Sequence, residues 1–225
     1  MKTAVYIADT DELKDPELFE AWYERMPEDR KEKIGRLLQE KDRRLSLGAG
    51  VLLCCALQDQ GLDADDASGA AEGPGGKPCL LHFPDIRFNL AHSGHYALCV
   101  IAKNEVGCDI EEQRDGLLRV AERFFSGKEQ AYIFSRHGKE RKRRAFFRIW
   151  TMKESYVKAL GEGLKKPFGS FSVLPGKNGT IPKNCAFFEY KKIPGYACSV
   201  CVLHRGALRP VFRVVSLKEL WRRQK

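Results

Sequence analysis

Two hydrophobic periods lie close together in the middle of the chain, and they constrain its fold more than any other feature. From Val106 to Glu111, the residues Val106, Cys108 and Ile110 alternate with Gly107, Asp109 and Glu111. That is the period of a strand with one apolar face. Both carboxylates fall on the other face, where they repel unless a cross-strand partner or a cation offsets them. Further on the period becomes helical, and Phe146, Ile149, Trp150, Val157 and Leu160 share one stripe of a long helix. Glu154 and Lys158 are four apart on its flank. Lys153 falls near the middle of the stripe, where an unpaired ammonium is costly, so it should reach a carboxylate or a phosphate. Asp109, Glu111 and Glu154 are hard oxygen donors of the kind Mg²⁺ accepts alongside waters and substrate phosphates. The alternative is a salt-bridged strand and helix without metal.

In chain order, residues 1–9 predict a strand, and Asp15 to Arg25 a helix with Pro16 in its first turn. Two helices follow up to Leu57, with Leu45, Leu52 and Leu53 recurring around Gly48 and with Arg30, Lys33 and Arg44 on polar sides. Gln60 to Gly76 reads as a loop. In GGKPC the glycines before Lys77 let backbone approach a ligand, and Pro78 stiffens the exit. IRFNLA and HYALCVIA predict paired strands around His92, Ser93 and Gly94. The chain turns at Asn104-Glu105, and the boundary between two halves, 1–104 and 105–225, is placed there. Gly116 to Phe125 predicts a short helix, and Ser126 to Glu129 has capping-box spacing. Gly161 and Gly163 stop the long helix. Phe171 to Leu174, Ala186 to Tyr190, Tyr196 to Leu203 and Val211 to Val215 read as strands of a second sheet, with PGKNGTIP a turn between the first two.

Charge is split unevenly. Residues 1–104 carry 13 Lys/Arg against 18 Asp/Glu, and residues 105–225 carry 26 against 12. The basic half, at +14, favours an acidic partner. Eight cysteines in a chain of 225 residues that opens directly on a strand predict reduced thiols and a cytoplasmic location. The single C-x-x-C, Cys198 to Cys201, reads as a strand whose two thiols face opposite ways. The longest apolar run, Val51 to Leu57, is too short to cross a bilayer.

GCDIE (107–111), FFSGKE (124–129) and WTMKESYVK (150–158), preceded by GGKPCL and FNLAHSG, resemble the ordered motifs of the single-chain, surfactin-synthetase-activating 4′-phosphopantetheinyl transferases. The resemblance spans about Arg30 to Phe171. It implies an α+β fold of two similar halves forming an intramolecular pseudo-dimer, each a small antiparallel sheet packed with helices. It implies Mg²⁺-dependent transfer (Mn²⁺ as a substitute) of the phosphopantetheine arm of coenzyme A to a serine of an acidic acyl or peptidyl carrier protein, releasing adenosine 3′,5′-bisphosphate. Asp109, Glu111 and Glu154 would hold the metal, and Glu129, Glu154 and Lys158 would act in catalysis. Arg30, Lys33, Arg44, Lys77, Pro78, His92, Lys153 and Lys158 would bind the coenzyme between the halves, with the first half taking its nucleotide and the second docking the carrier near Phe124 and Phe125. A monomer is implied, with neither nucleic acid nor membrane as partner. Ala91 departs from the family's Ser or Thr, removing one hydroxyl contact. A metal-dependent phosphoester hydrolase and a basic nucleic-acid-binding module are the competing readings.

Overall fold

The computed structural model describes residues 1–62, 70–163, 166–174, 182 and 184–223. The middle of the loop expected at 60–76 and nearly all of the turn expected at 175–182 lie outside these residues. The chain divides into two compact units, one of residues 1–73, 78–104 and 209–225, the other of 74–77 and 105–208. Both are α+β.

In the first unit, β1 (Ala4–Asp9) is apolar at every position but its last, as a central strand covered on both faces should be. It pairs antiparallel with β5 (Tyr96–Ala102), which pairs antiparallel with β4 (Arg87–Ser93). β4 and β5 form a hairpin with Gly94-His95 as its two-residue loop. Gly94, at φ 61°, takes the left-handed conformation such a loop requires. Asp15 caps α1 (Pro16–Glu24) by accepting from the Glu17 and Leu18 amides. After α2 (Glu28–Gly35), α3 (Glu40–Gln58) lays Leu47, Val51, Leu52 and Leu53 into one cluster with Tyr6, Ala8, Cys99 and Ile101. Two short strands, β2 (Ala70–Glu72) and β3 (Pro78–Leu80), form a separate ribbon.

One strand moves relative to expectation. β9 (Val211–Val215) lies at the edge of the first sheet, parallel to β1 with Val5 opposite Phe212, and so outside the second. The first sheet is therefore antiparallel except at this edge, and Arg209–Lys225 belongs to the first unit although it falls in the expected half 105–225. A parallel neighbour requires a long crossover, and here more than a hundred residues of chain supply it. A final helix that the sequence reading lacks, α7 (Leu217–Arg223), secures the return. Trp22 Nε1 donates to Leu217 O at 3.1 Å and its ring meets Trp221 edge-on at 5.2 Å, while Glu12 accepts from the Lys218 amide at 2.7 Å.

The second unit is an antiparallel sheet in the order β6 (Val106–Glu112), β8 (Tyr196–Val202), β7 (Ala186–Tyr190). α4 (Leu118–Phe124), α5 (Gly127–Phe134) and the 22-residue α6 (Lys139–Leu160) pack with it. Gly107 lets α6 approach β6: a Cβ there would stand 2.1 Å from Ser155 O and 2.4 Å from Ala159 N. α6 ends at Gly161, left-handed at φ 71°, as expected for a glycine after a helix. Phe125 is core and Phe124 is half-exposed. Phe171 to Leu174 is not a strand, because side chains claim its backbone: the Val173 amide donates to Glu129 and Phe171 O accepts from Lys153.

Candidate functional site

Asp109 and Glu111 lie on the face of β6 shared with Gly107, which is the face α6 covers. Burial takes Asp109 to 5 % side-chain exposure and pushes its carboxyl up to about 7, against the charge and hydrogen bond of Lys158; Glu111 and Glu154 push it the same way. Glu154 is itself raised, by burial first, with Lys158 opposing and Glu111 adding to the rise. Lys158 Nζ donates to Asp109 Oδ1 at 2.6 Å. Burial works against that ammonium, but the charge and hydrogen bond of Asp109, with Cys108 and Glu154, leave the Lys158 pKa raised. Asp109 Oδ2 is buried with no hydrogen-bond partner among the described residues. A buried carboxylate oxygen left orphaned is costly, and neighbouring acids that raise Asp109 and Glu154 are an arrangement that a cation relieves. In this conformation the Lys158 ammonium supplies the positive charge. The three carboxylates do not gather within 4.8 Å of one another; among the described residues the group that does is Asp9, Asp11 and His95, where His95 Nδ1 is 2.9 Å from Asp9 Oδ1.

Glu129 and Lys153 do not join this cluster. Both side chains are 0 % exposed and paired at 2.9 Å. Glu129 completes the capping box of α5, taking the Ser126 amide and hydroxyl on Oε2 at 3.1 and 2.7 Å, and accepts from Val173 N on Oε1 at 2.9 Å. Lys153 Nζ also donates to Phe168 O at 2.7 Å and Phe171 O at 2.6 Å, and lies 4.1 Å from the Phe171 ring centroid. Burial lowers its pKa and Glu129 pulls the other way. Among the described residues every donor of the Lys153 ammonium and both oxygens of the Glu129 carboxylate have a protein partner. Lys77 is similarly committed. Its ammonium donates to Glu105 at 2.7 Å and to Val106 O and Ala159 O at 2.9 Å each, while Gly75 and Gly76, at φ 73° and 79°, bring its loop against Gly161. Pro78 is exposed in β3 opposite Glu72.

The remaining cations lie in the first unit. Arg30 and Lys33 share α2, and burial lowers both pKa values; Arg30 lowers that of Lys33 further, and Asp29 opposes both shifts. Arg44, on α3, is largely covered and 3.7 Å from Glu40. Two desolvated cations with no stronger counter-charge than the adjacent Asp29 suit an anion. His92 is exposed on β4 opposite Ala97.

The model of the 4′-phosphopantetheinyl transferase superfamily matches residues 105–201. The 4′-phosphopantetheinyl transferase ffp of Bacillus subtilis is 34 % identical over 192 residues, 82 % of this chain and 83 % of that protein. The chain belongs to the 4′-phosphopantetheinyl transferase superfamily. A second relative, Sfp of Bacillus subtilis (strain 168), is 32 % identical over 200 residues, covering 85 % of this chain and 88 % of its own. A third, gsp of Aneurinibacillus migulanus, is 32 % identical over 151 residues, 64 % and 62 % of the two chains.

In this transferase the sequence reading missed two features beside the acids. Ser199, on β8 directly across from Asp109, is fully buried and its hydroxyl has no partner among the described residues. The next residue in that row, Glu189 of β7, grips Arg148 of α6 with two bonds of 2.7 Å. Only the register of the strands reveals the row, because Asp109 is far along the chain from the hairpin that carries Glu189 and Ser199. The transferase's eight cysteines are all free thiols, and no helix among the described residues is long and apolar enough to cross a membrane.

Proposed function

We propose that this phosphopantetheinyl transferase moves the 4′-phosphopantetheine arm of coenzyme A onto a serine of an acyl or peptidyl carrier protein, with Mg²⁺ (or Mn²⁺) required and adenosine 3′,5′-bisphosphate released. The observation that carries the reading is the buried, half-orphaned carboxylate of Asp109 with Glu111 and Glu154 raising its pKa. These three are the residues that would hold the metal, which supplies charge neutralisation at a diphosphate. Lys158, which holds Asp109 at 2.6 Å, would with that carboxylate engaged elsewhere be free to place its positive charge where the leaving phosphate develops negative charge. Arg30, Lys33, Arg44 and His92 hold the nucleotide end. Glu129 and Lys153 anchor the 168–173 segment to α6 at the position just before Glu154 and five residues before Lys158. The reaction is attack by a hydroxyl on phosphorus, so positioning and electrostatics are the protein's main contribution.

The test is incubation with coenzyme A, Mg²⁺ and a panel of apo carrier proteins, followed by mass spectrometry of the carriers. Wild type should add the arm to at least one carrier, and the combined Asp109→Asn, Glu111→Gln, Glu154→Gln variant to none. Unchanged turnover by that variant refutes the proposal. Free pantetheine phosphate released without a carrier would instead identify a hydrolase.

A further inference from the structure

Two thiols that the acid cluster does not use, Cys185 and Cys201, come together at the edge of the second sheet. The register sets Cys201 of β8 opposite Gly107 on one side and opposite Phe187 of β7 on the other, so Cys201 is on the face that α6 covers. Cys185 is the residue before β7 and two before Phe187, and side chains two apart in an extended chain share a face. Its side chain accordingly packs against the apolar cluster that holds Cys201, Tyr156 and Phe171. The two thiols are hydrogen-bonded to each other, and Cys185 Sγ also donates to Pro182 O at 3.1 Å. With its own proton directed at Pro182, Cys185 is the acceptor within the pair and Cys201 the donor.

The two cysteines differ in ways that suit them to successive steps. Cys185 is half-buried, whereas Cys201 is 0 % exposed. The bond from Cys201 lowers the Cys185 pKa against the effect of burial, while burial first and Cys185 second push the Cys201 thiol up, with Lys77 pulling the other way. The backbone at Cys185 is outside the β7–β8 ladder and follows Asn184, which is left-handed at φ 66°. Strand hydrogen bonds therefore do not hold its sulfur at a fixed spacing from Cys201, and a disulfide has a narrow geometry to meet. Neighbouring thiols are worse placed. Cys198 is three residues from Cys201 in β8 and so faces the other way, and burial holds its pKa well above the usual range. Cys55, in the first unit, is pushed up to about 11 by burial and Asp59, and it is the thiolate that reacts.

We infer that Cys185 and Cys201 are a disulfide-forming pair, closed by a peroxide and reopened by a small thiol. With hydrogen peroxide, the Cys185 sulfur attacks one oxygen and the O–O bond breaks. A sulfenic acid forms, and the other oxygen leaves as water with the Cys185 proton. The Cys201 sulfur then attacks the Cys185 sulfur, the S–S bond forms, and the displaced hydroxide leaves as water with the Cys201 proton. Two thiols lose two electrons and two protons, which turn one peroxide into two waters. An accessible first thiol backed by a buried second is the arrangement of a pair that is reduced at rest and bridges on challenge. The bridge fastens β7, an edge strand, to β8 and encloses residues 186–200. It needs neither coenzyme nor metal.

The full chain, reduced and then exposed to a small excess of hydrogen peroxide, is alkylated with iodoacetamide, digested without reduction and mapped by mass spectrometry. A cross-link from Cys185 to Cys201 should dominate, with fragmentation separating Cys201 from Cys198, and dithiothreitol should remove it. Closing a loop of about 15 residues should raise Tm by about 6–12 °C in a chain of this size. Cys185→Ser, a near-isosteric change at a half-buried position, should match the Tm of the reduced wild type and show no shift with peroxide. Cys55→Ser, in the first unit, should form the bridge as wild type does. A bridge from Cys185 to Cys198 or to a second chain overturns the inference. So does Cys185 oxidised to a sulfinic acid beside a free Cys201, and so does recovery of both thiols fully alkylated after peroxide.

Discussion

Lys153→Met tests whether the buried pair behind the acid cluster is structural. The variant keeps the shape of the stem but leaves Glu129 charged, 0 % exposed and without its ammonium, and it strips the donor from Phe168 O and Phe171 O. Breaking one side of a buried ion pair costs about 3–5 kcal/mol. At roughly 2–4 °C per kcal/mol for a chain of this size, 4 kcal/mol lowers Tm by about 8–16 °C. Glu129→Gln should cost about 3 kcal/mol, because glutamine still accepts from Val173 N but places an amide N–H against the Ser126 donors. With both changes together no buried charge remains, and the loss should fall at least 2 kcal/mol short of the sum. Urea unfolding followed by tryptophan fluorescence reads this directly, since Trp150 lies 5.4 Å from the Phe168 ring beside the network. Additive losses would refute the pairing argument. So would a Lys153→Met protein of wild-type stability that no longer binds coenzyme A, which would return Lys153 to the ligand.

The affinity for Mn²⁺ should rise about tenfold per pH unit up to about pH 7 and level off above it, because the metal must displace the proton that burial holds on Asp109; titration calorimetry at pH 5.5, 6.5 and 8 checks this. The sign for the metal-free protein is opposite: with its folded pKa raised, Asp109 contributes stability below the ordinary carboxylate range and loses it as pH rises through about 7. Gly107→Ala forces a Cβ to 2.1 Å from Ser155 O, a backbone atom, and should cost about 3 kcal/mol or more in chemical unfolding; unchanged stability would mean α6 lies further from β6. Ser199→Ala removes a buried hydroxyl without a partner among the described residues and should leave stability unchanged or raise it by about 1 kcal/mol, whereas a loss of that size would show that the hydroxyl is bonded.

The sequence revealed most where local period and burial agree. The alternation at 106–111 and the stripe through Phe146, Ile149 and Val157 are strand and helix as their spacing requires, and the apolar residues of both are buried, while β6 is also covered on the face of its acids. The cost of an ammonium on the stripe told that Lys153 needed a carboxylate or a phosphate but could not say which, and the anion beside it is the Glu129 carboxylate of α5. The capping spacing at Ser126 pointed to the local role of Glu129, and the capping box is formed. Long-range partners were not legible. Nothing in Val211–Val215 distinguishes pairing with β1 from pairing with β7, and apolar Phe171 to Leu174 looks like a strand until side chains claim its amides and carbonyls.

The edge position of β9 bears on how the molecule comes into being. A ribosome releases residues 1–104 long before Val211 appears, so the β1 flank waits as a bare ladder of amides and carbonyls, open to adhesion by other chains. Apart from residues 74–77, the later unit is one uninterrupted stretch and can mature as soon as residue 208 has emerged. Synthesis thus runs from first residue to last while completion runs the other way, and the oldest part of the polypeptide is the last to be sealed.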